Sequence, residues 1–446
     1  MKNIKRAFLL LVLLLGGSWL LADTLLPEPF TYFSFRTVFV QFTGVLGIGL
    51  MSAAMLLALR TRMLERLLGG LDKNYRLHKW LGIGALIVTV LHWWWAQGTK
   101  WMVGWGWLAR PERRHRGGGG ETLSWLEQWL RSQRGLAETL GEWAFYAAVV
   151  LIVLALIKRF PYHLFQKTHK LLAAAYLVFV YHTIVLLKAD YWSQPVGWLV
   201  TLLLLGGTLA AVVVLLGKVG SRRKVAGEIT CLEYYPALQV IEGTILLQPG
   251  WPGHKPGQFA FVTSDRHEGA HPYTIASAWD EGQRCLVFIV KGLGDYTSHL
   301  RDKLEVGLPV CVEGPYGSFD FEDDKPRQIW VGAGIGITPF IARMKQLAKA
   351  PGSQRVDLFH TTRDFEQSAI DKLKADAAAA NVALHLHVSG RDPRLTGGRL
   401  REAVPQWREA SVWFCGPTAF GKALRNDLVD NGLAAEDFHQ EMFELR

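Results

Sequence analysis

His78 and His92 stand fourteen residues apart in one apolar stretch, and His169 and His182 stand thirteen apart in another. Ionisable groups inside stretches apolar enough to enter a bilayer are rare and usually functional. At 1.5 Å of helical rise per residue, each pair spans about 20 Å. Both stretches are read as running from inside to outside, so His78 lies level with His169, and His92 with His182. Two such levels suit two haems stacked across one membrane, each clamped by an imidazole from two facing helices. With both axial positions filled, an acceptor cannot bind the iron and is reduced at the haem edge. One demand follows from helical phase. At 100° per residue, fourteen residues miss a common face by about 40° and thirteen by about 140°. The second helix therefore needs a widened turn, such as a π-bulge, or its histidines approach from opposite flanks.

A second set of residues suits nucleotide chemistry. Gly332, Gly334 and Gly336 fall between an expected strand and an expected helix. Glycine lets backbone approach a phosphate, and a helix N-terminus favours the anion. Phe414-Cys415-Gly416-Pro417 ends a later strand, the edge at which ligands sit in parallel sheets. Together the two segments imply a nicotinamide cofactor lying across a sheet. His271-Pro272-Tyr273-Thr274-Ile275-Ala276-Ser277 offers a ring to stack on a flavin and hydroxyls on Thr274 and Ser277. Lys291 and Gly294-Asp295-Tyr296-Thr297 offer a cation and backbone N–H groups for a pyrophosphate. Arg363 follows strand 355–360, where a cation suits a 2′-phosphate and so NADPH over NADH. Arg391 is a second, weaker candidate for that role.

The elements that must position these groups divide the chain in two. Half of the 446 residues are hydrophobic, and nearly all long apolar runs precede residue 217. Six spans are expected, at 7–22, 37–59, 80–96, 143–157, 170–187 and 195–216. Basic segments 60–79, 158–170 and 218–224 share one side, which the positive-inside bias makes cytoplasmic. The loop 97–142 falls outside despite seven Lys and Arg, partly offset by five acids. Its part Thr122–Leu140 is expected to be an interfacial amphipathic helix after a flexible Gly117–Gly120 break. The net charge of +10 is read as membrane anchoring rather than nucleic-acid binding. The four cysteines all fall after residue 230 and form no CxxC pair, which argues against a disulfide framework or a zinc site.

After Arg222, short strands with Gly and Pro punctuation are expected to form an antiparallel β-barrel over 227–320. From Arg327 onward strands alternate with helices (strands 327–331, 355–360, 382–388 and 411–414; helices 341–350, 365–380 and 418–431). That alternation implies a parallel sheet with helices on its faces. The expected domains are 1–220, a six-helix all-α transmembrane di-haem domain; 221–324, an FAD-binding β-barrel; and 325–446, an NADPH-binding α/β domain.

The paired histidines, HPYTIAS, GDYT, VGAGIGITPF, FCGP and the closing HQEMF occur in one order. In that combination the chain resembles the NADPH oxidase and ferric reductase superfamily, in which a six-helix haem domain is fused to a ferredoxin-reductase-like dehydrogenase. The resemblance implies FAD at His271, Pro272, Tyr273, Thr274 and Ser277, with its pyrophosphate at Lys291 and Gly294 to Thr297. It implies the dinucleotide at Gly332, Gly334, Gly336, Ile337, Thr338 and Pro339, and at Gly416 and Pro417. It places Cys415 beside the nicotinamide, Glu441 as the terminal acid, and Phe443 as the aromatic that shields the flavin. In the family that aromatic is often the last residue, whereas here Glu444, Leu445 and Arg446 follow it. The expected activity is transfer of electrons from cytosolic NADPH, or NADH, through FAD and two b-type haems to an extracytoplasmic acceptor. Oxygen, yielding superoxide, is the first acceptor; a ferric chelate, a quinone or a periplasmic protein are the alternatives. The expected setting is a bacterial-type inner membrane, with the N-terminus and dehydrogenase cytoplasmic. The lipid bilayer is a partner, and no nucleic acid or obligate regulatory subunit is expected.

Overall fold

The structure, a computed structural model, describes residues 2–109, 125–157, 159–294 and 296–441. Two compact units result: one takes the chain up to Leu64 and Lys73–Val219, the other Glu65–Asp72 and the chain from Gly220 onward.

The first unit is helical: α1 Lys2–Leu20, α2 Tyr32–Ala58, α4 Leu71–Gly104, α5 Trp125–Leu156, α6 Tyr162–Leu186 and α7 Pro195–Leu215; the residues of the short α3 Arg62–Leu68 divide between the first unit and the second. Local sequence sets the ends. Thr31 caps α2: its hydroxyl accepts the Ser34 N–H at 3.1 Å, and the Ser34 hydroxyl accepts the Thr31 N–H at 2.9 Å. Pro195 opens α7, where its missing N–H costs nothing. Among the described residues, α1, α2, α5, α6 and α7 are long and apolar enough to cross a membrane. Helix α4 is not among these five, because His92 and Trp93 to Trp95 interrupt its apolar run.

Leu15, Trp19, Val45, Ile48, Tyr176 and Leu204 form the centre of this unit. Small residues bring the helices close, as in membrane bundles. A Cβ at Gly207 would lie 2.0 Å from the Tyr176 hydroxyl, which shares a 2.8 Å hydrogen bond with Ser52. Leucines 9, 10, 13, 202, 205 and 209 are more than half exposed, a surface that suits lipid and not water.

The expected separate helix over Thr122–Leu140 takes a different form. From Trp125 it is the first half of α5, continuous with the expected span 143–157. Its 32 residues reach about 48 Å, well beyond a hydrocarbon core of about 30 Å. Nothing between Arg134 and Trp143 breaks a helix except Gly135 and Gly141, which an otherwise helical run tolerates. Thr122, Leu123 and the Gly117–Gly120 run lie outside the described residues.

The second unit opens with a six-stranded antiparallel sheet. Its strands are β1 Lys224–Tyr235, β2 Val240–Leu247, β3 Phe259–Thr263, β4 His271–Thr274, β5 Cys285–Lys291 and β6 Pro309–Tyr316, in the order β4-β3-β6-β1-β2-β5. An isolated Ile275–Phe288 bridge ties the chain just after β4 to β5, the other outermost strand. Ile229, Ile245, Ala260, Leu286, Phe288 and Val312 fill its core, and the single turn α8 Leu300–Lys303 follows β5. A parallel sheet comes next, built from β7 Arg327–Ala333, β8 Arg355–Thr362, β9 Ala383–Val388, β10 Ala410–Cys415 and β11 Phe438–Gln440. Helices α9 Thr338–Lys349, α10 Gln367–Ala379, α11 Gly397–Ala403 and α12 Thr418–Asp430 connect them. The order β11-β10-β7-β8-β9 puts a topological switch point between β7 and β10. Helix α11 and strand β11 are additional to the expected elements, and α9 begins at Thr338, three residues before its expected start.

Candidate functional site

In the helical unit the four histidines meet as two pairs. The rings of His78 and His169 lie 5.8 Å apart between centroids, and those of His92 and His182 6.3 Å apart. Two imidazoles on one metal, each bonded at about 2 Å, place their centroids roughly 6 Å apart. The gaps therefore fit one iron each. Three of the rings are also fixed in tautomer. Nδ1 of His78 donates to the Ala54 carbonyl at 2.9 Å, that of His92 to Val40 at 3.0 Å, and that of His182 to Ala137 at 2.9 Å. A carbonyl only accepts, so the proton sits on Nδ1 and Nε2 keeps its lone pair for a metal. His169 differs: its buried Nδ1 has no such acceptor among the described residues.

The backbone contact of His182 needs α5 to come very close. A Cβ at Gly141 would lie 2.1 Å from His182 Nδ1, so only glycine leaves the ring its place. Helix α6 is α-helical from Tyr162 to Leu186, without a π turn. The thirteen-residue spacing is thus met by rings approaching from different flanks of α6. Near the His92–His182 level, Arg36 donates from Nε to Trp95 O at 3.1 Å and to Thr99 Oγ1 at 3.0 Å, and from Nη2 to Ala96 O at 3.0 Å. Sequence reasoning missed this cation; its signal was an arginine at the fifth position of a largely apolar helix.

In the second unit the two expected dinucleotide segments sit side by side. Gly332 at the end of β7 pairs in register with Cys415 at the end of β10. A Cβ on Gly336 would lie 2.2 Å from the Cys415 carbonyl oxygen, so glycine lets the two turns touch. Gly334 has a positive φ of 59°, and the space beside it is open, as a phosphate cradle requires. Ile337 is buried, Thr338 donates its hydroxyl to Ile335 O at 2.8 Å, and Pro339 occupies the first turn of α9. Gly416 and Pro417 lead from β10 into α12. Cys415 is 1 % exposed. Burial, then the charge of Glu441, pushes its thiol well above the ordinary range. It is therefore a neutral, uncharged neighbour to whatever lies on this edge. Glu441 is itself buried, with Oε1 3.3 Å from where a Gly317 Cβ would stand, at the end of β6. Phe443 lies outside the described residues. Arg363 is exposed just past β8, and Arg391 lies over the Phe365 ring at 4.4 Å.

The flavin-type segment forms the β4 edge and the turn after β5. Pro272, Tyr273 and Thr274 pair with Phe261, Ala260 and Phe259. The Tyr273 ring turns toward Phe288, 6.4 Å away, and borders a small apolar cavity of about 50 Å³. His271 stacks on Tyr296 at 4.5 Å and 10°, and burial holds its imidazole below the ordinary value. The N–H groups of Leu293 and Gly294 converge on Thr297 Oγ1 at 3.0 Å each, the arrangement that also receives an anion's oxygen. Asp295 lies outside the described residues. The Ser277 hydroxyl accepts the Val287 N–H at 3.1 Å, so part of its capacity serves the sheet. The Lys291 ammonium meets Asp364 at 2.6 Å. Among the described residues no group of three or more His, Cys, Asp or Glu is arranged to hold a metal ion, so the histidine pairs stand as pairs.

Comparison with known proteins finds two families. Residues 43–180 match the ferric reductase like transmembrane component, and residues 247–320 match an FAD-binding domain. A flavohemoprotein of Oceanobacillus iheyensis is 25 % identical over 163 residues, covering 34 % of this chain and 40 % of that protein. An NADPH oxidoreductase of Mycobacterium tuberculosis is 29 % identical over 219 residues, covering 45 % of this chain and 56 % of that protein. The chain thus spans only about half the length of these relatives. A flavohemoglobin from Malassezia yamatoensis, solved with bound FAD and heme, is 17 % identical with a TM-score of 0.45, over 72 % of this chain and 88 % of that one. In this order on one chain, a segment similar to a ferric reductase like transmembrane component is followed by a segment similar to an FAD-binding domain.

Proposed function

We propose that this chain passes electrons from cytosolic NADPH through FAD and two bis-histidine b-type haems to oxygen on the far side of a bacterial inner membrane, yielding superoxide. The observation that carries the reading is the meeting of four histidines as two pairs, each with a gap fitted to one iron. In this reading α4 joins the five apolar helices as the sixth span, and the antiparallel sheet is the barrel that holds FAD. When bound, the flavin accepts a hydride's two electrons and releases them singly, and the haems carry one electron each.

The chain's own residues then orient and insulate. His78 with His169, and His92 with His182, would hold the irons, which would supply one-electron transfer there. The Gly332–Gly336 turn and the Cys415–Pro417 turn receive the dinucleotide at the switch point of the sheet. Cys415 stays neutral and excludes water beside the nicotinamide, while Glu441 sets the charge near the meeting of the two ring systems. Arg363 receives the 2′-phosphate and favours NADPH.

The test is cytochrome c reduction by the purified, cofactor-loaded protein with NADPH, with and without superoxide dismutase. Suppression by dismutase is expected. Insensitivity to it would exclude superoxide as the product, and strict dependence on an added ferric chelate would make the chain a metal-chelate reductase with the same wiring.

A further inference from the structure

The turn that carries Arg363 also carries an acid, and that acid holds a cation the resemblance assigns to the flavin. Lys291 ends β5 and Asp364 follows β8; Nζ and Oδ2 are 2.6 Å apart, with side chains 22 % and 36 % exposed. Both line a cavity of about 110 Å³ together with Gly334, Ile335, His360 and Thr362. The register explains the meeting. Ala333 of β7 pairs with Thr361 of β8, so Gly334 is level with Thr362, and Asp364 stands two residues beyond. The Thr362 hydroxyl donates to the Asp364 carbonyl at 2.8 Å, and the Glu366 carboxylate accepts the Ala237 N–H at 3.0 Å. The turn is thus pinned at both ends, with its carboxylate aimed at the ammonium. His360, on the same wall, is held near a pKa of about 4 by burial and brings no competing positive charge at neutral pH.

We propose that Asp364 is an electrostatic gate on the dinucleotide cradle: it holds Lys291 until a phosphate of the entering dinucleotide takes the cation over. The proposal rests on the reading that the chain binds a nicotinamide dinucleotide at Gly334. A pyrophosphate settling on that turn brings negative charge to the wall that Asp364 already occupies; Lys291 lines the same cavity paired with Asp364, while Lys345 and Lys372 also line it, Lys372 being held by Glu233 and Glu242. The exchange swaps one charge-assisted partner for another. Affinity is then set by a difference between two pairings, and Asp364 works against binding. An acid at this place has a rival role, as acceptor for the 2′-hydroxyl of an adenosine ribose, which would favour NAD over NADP. The two roles predict opposite signs.

The experiment is equilibrium titration of the full-length, FAD-loaded protein with NADP⁺ and with NAD⁺, read by calorimetry and by the flavin difference spectrum. Asp364→Asn is expected to tighten both ligands by about fivefold, the size of a half-exposed ion pair released. Lys291→Met is expected to weaken both by about tenfold, and the double variant to match Lys291→Met alone, because the gate acts through the lysine. Asp364→Ser serves as a second variant should the amide misfold. Weaker NAD⁺ binding in Asp364→Asn, or tightening that persists without Lys291, would overturn the gate while leaving the dinucleotide site standing. Absence of saturable binding by the unaltered protein would overturn the functional reading, and the gate with it.

Discussion

A ligand histidine has to be aimed as well as present. His182 is aimed by a single carbonyl, Ala137 O at 2.9 Å, across a helix contact that tolerates no Cβ at Gly141. His182→Leu removes one imidazole from a gap fitted to one iron. It is expected to lower the haem absorbance of the purified protein by about half while the FAD content stays the same; unchanged haem would sink the pairing. The meeting of the four histidines as two pairs was legible from their spacing in apolar runs. Their tautomers were not, because the acceptors Ala54, Val40 and Ala137 belong to other helices and contribute only backbone, which side-chain patterns do not record. Asp364 escaped for a related reason. An acid beside an exposed arginine reads as surface until the β5 lysine is folded onto it.

Among the elements, the parallel sheet depends on a carboxylate at its entrance. Asp323, before β7, collects the Ser411 hydroxyl at 2.6 Å, the Gln328 amide at 2.8 Å and the Trp413 indole at 3.1 Å on one oxygen. The other oxygen accepts the Lys325 N–H at 2.9 Å and the Gln354 amide at 3.0 Å. Burial alone disfavours the charged form, yet these donors outweigh it and hold the carboxyl below its usual 3.8. A depressed folded-state pKa means stability that is present above the unfolded value and lost as pH falls through the folded one. Asp323→Asn puts an amide N–H₂ against donors. It is expected to cost about 2 kcal/mol of dehydrogenase stability at neutral pH. Urea melts should show that cost shrinking as pH falls below about 4, where the unfolded carboxyl protonates, and further down to the lower pH at which the native carboxyl does; a cost independent of pH would refute the assignment. The alternation of strands and helices made this sheet readable in advance. Three-residue β11 was not, since so short a strand carries no periodicity. The union of the outer amphipathic segment with the next span in α5 was hidden by its change from charged to apolar composition, which mimics a boundary.

Across the whole molecule, the proposed function, with one iron for each histidine pair, sets a stoichiometry. The purified protein is expected to carry two haems per FAD, measurable as pyridine haemochrome against released flavin. A ratio of one would remove one level of the proposed path. The division near residue 220 was visible as a change from long apolar runs to short strands, but the inclusion of Glu65–Asp72 in the second unit was not. In sequence that segment is part of the connection between two apolar spans, and only the folded chain shows which unit it accompanies.

Helix α4 carries His78 and His92 on one unbroken run of 34 residues. Fourteen residues of α-helix are about 21 Å of nearly inextensible rod. Bilayers differ in thickness by several Å, and helices answer such mismatch mainly by tilting. The interval between the two ligand levels is therefore a gauge length, written in covalent geometry and indifferent to lipid. In the proposed reading, a membrane that thickens or thins would turn the rod without stretching it, and the distance between the two histidine levels would stay the same.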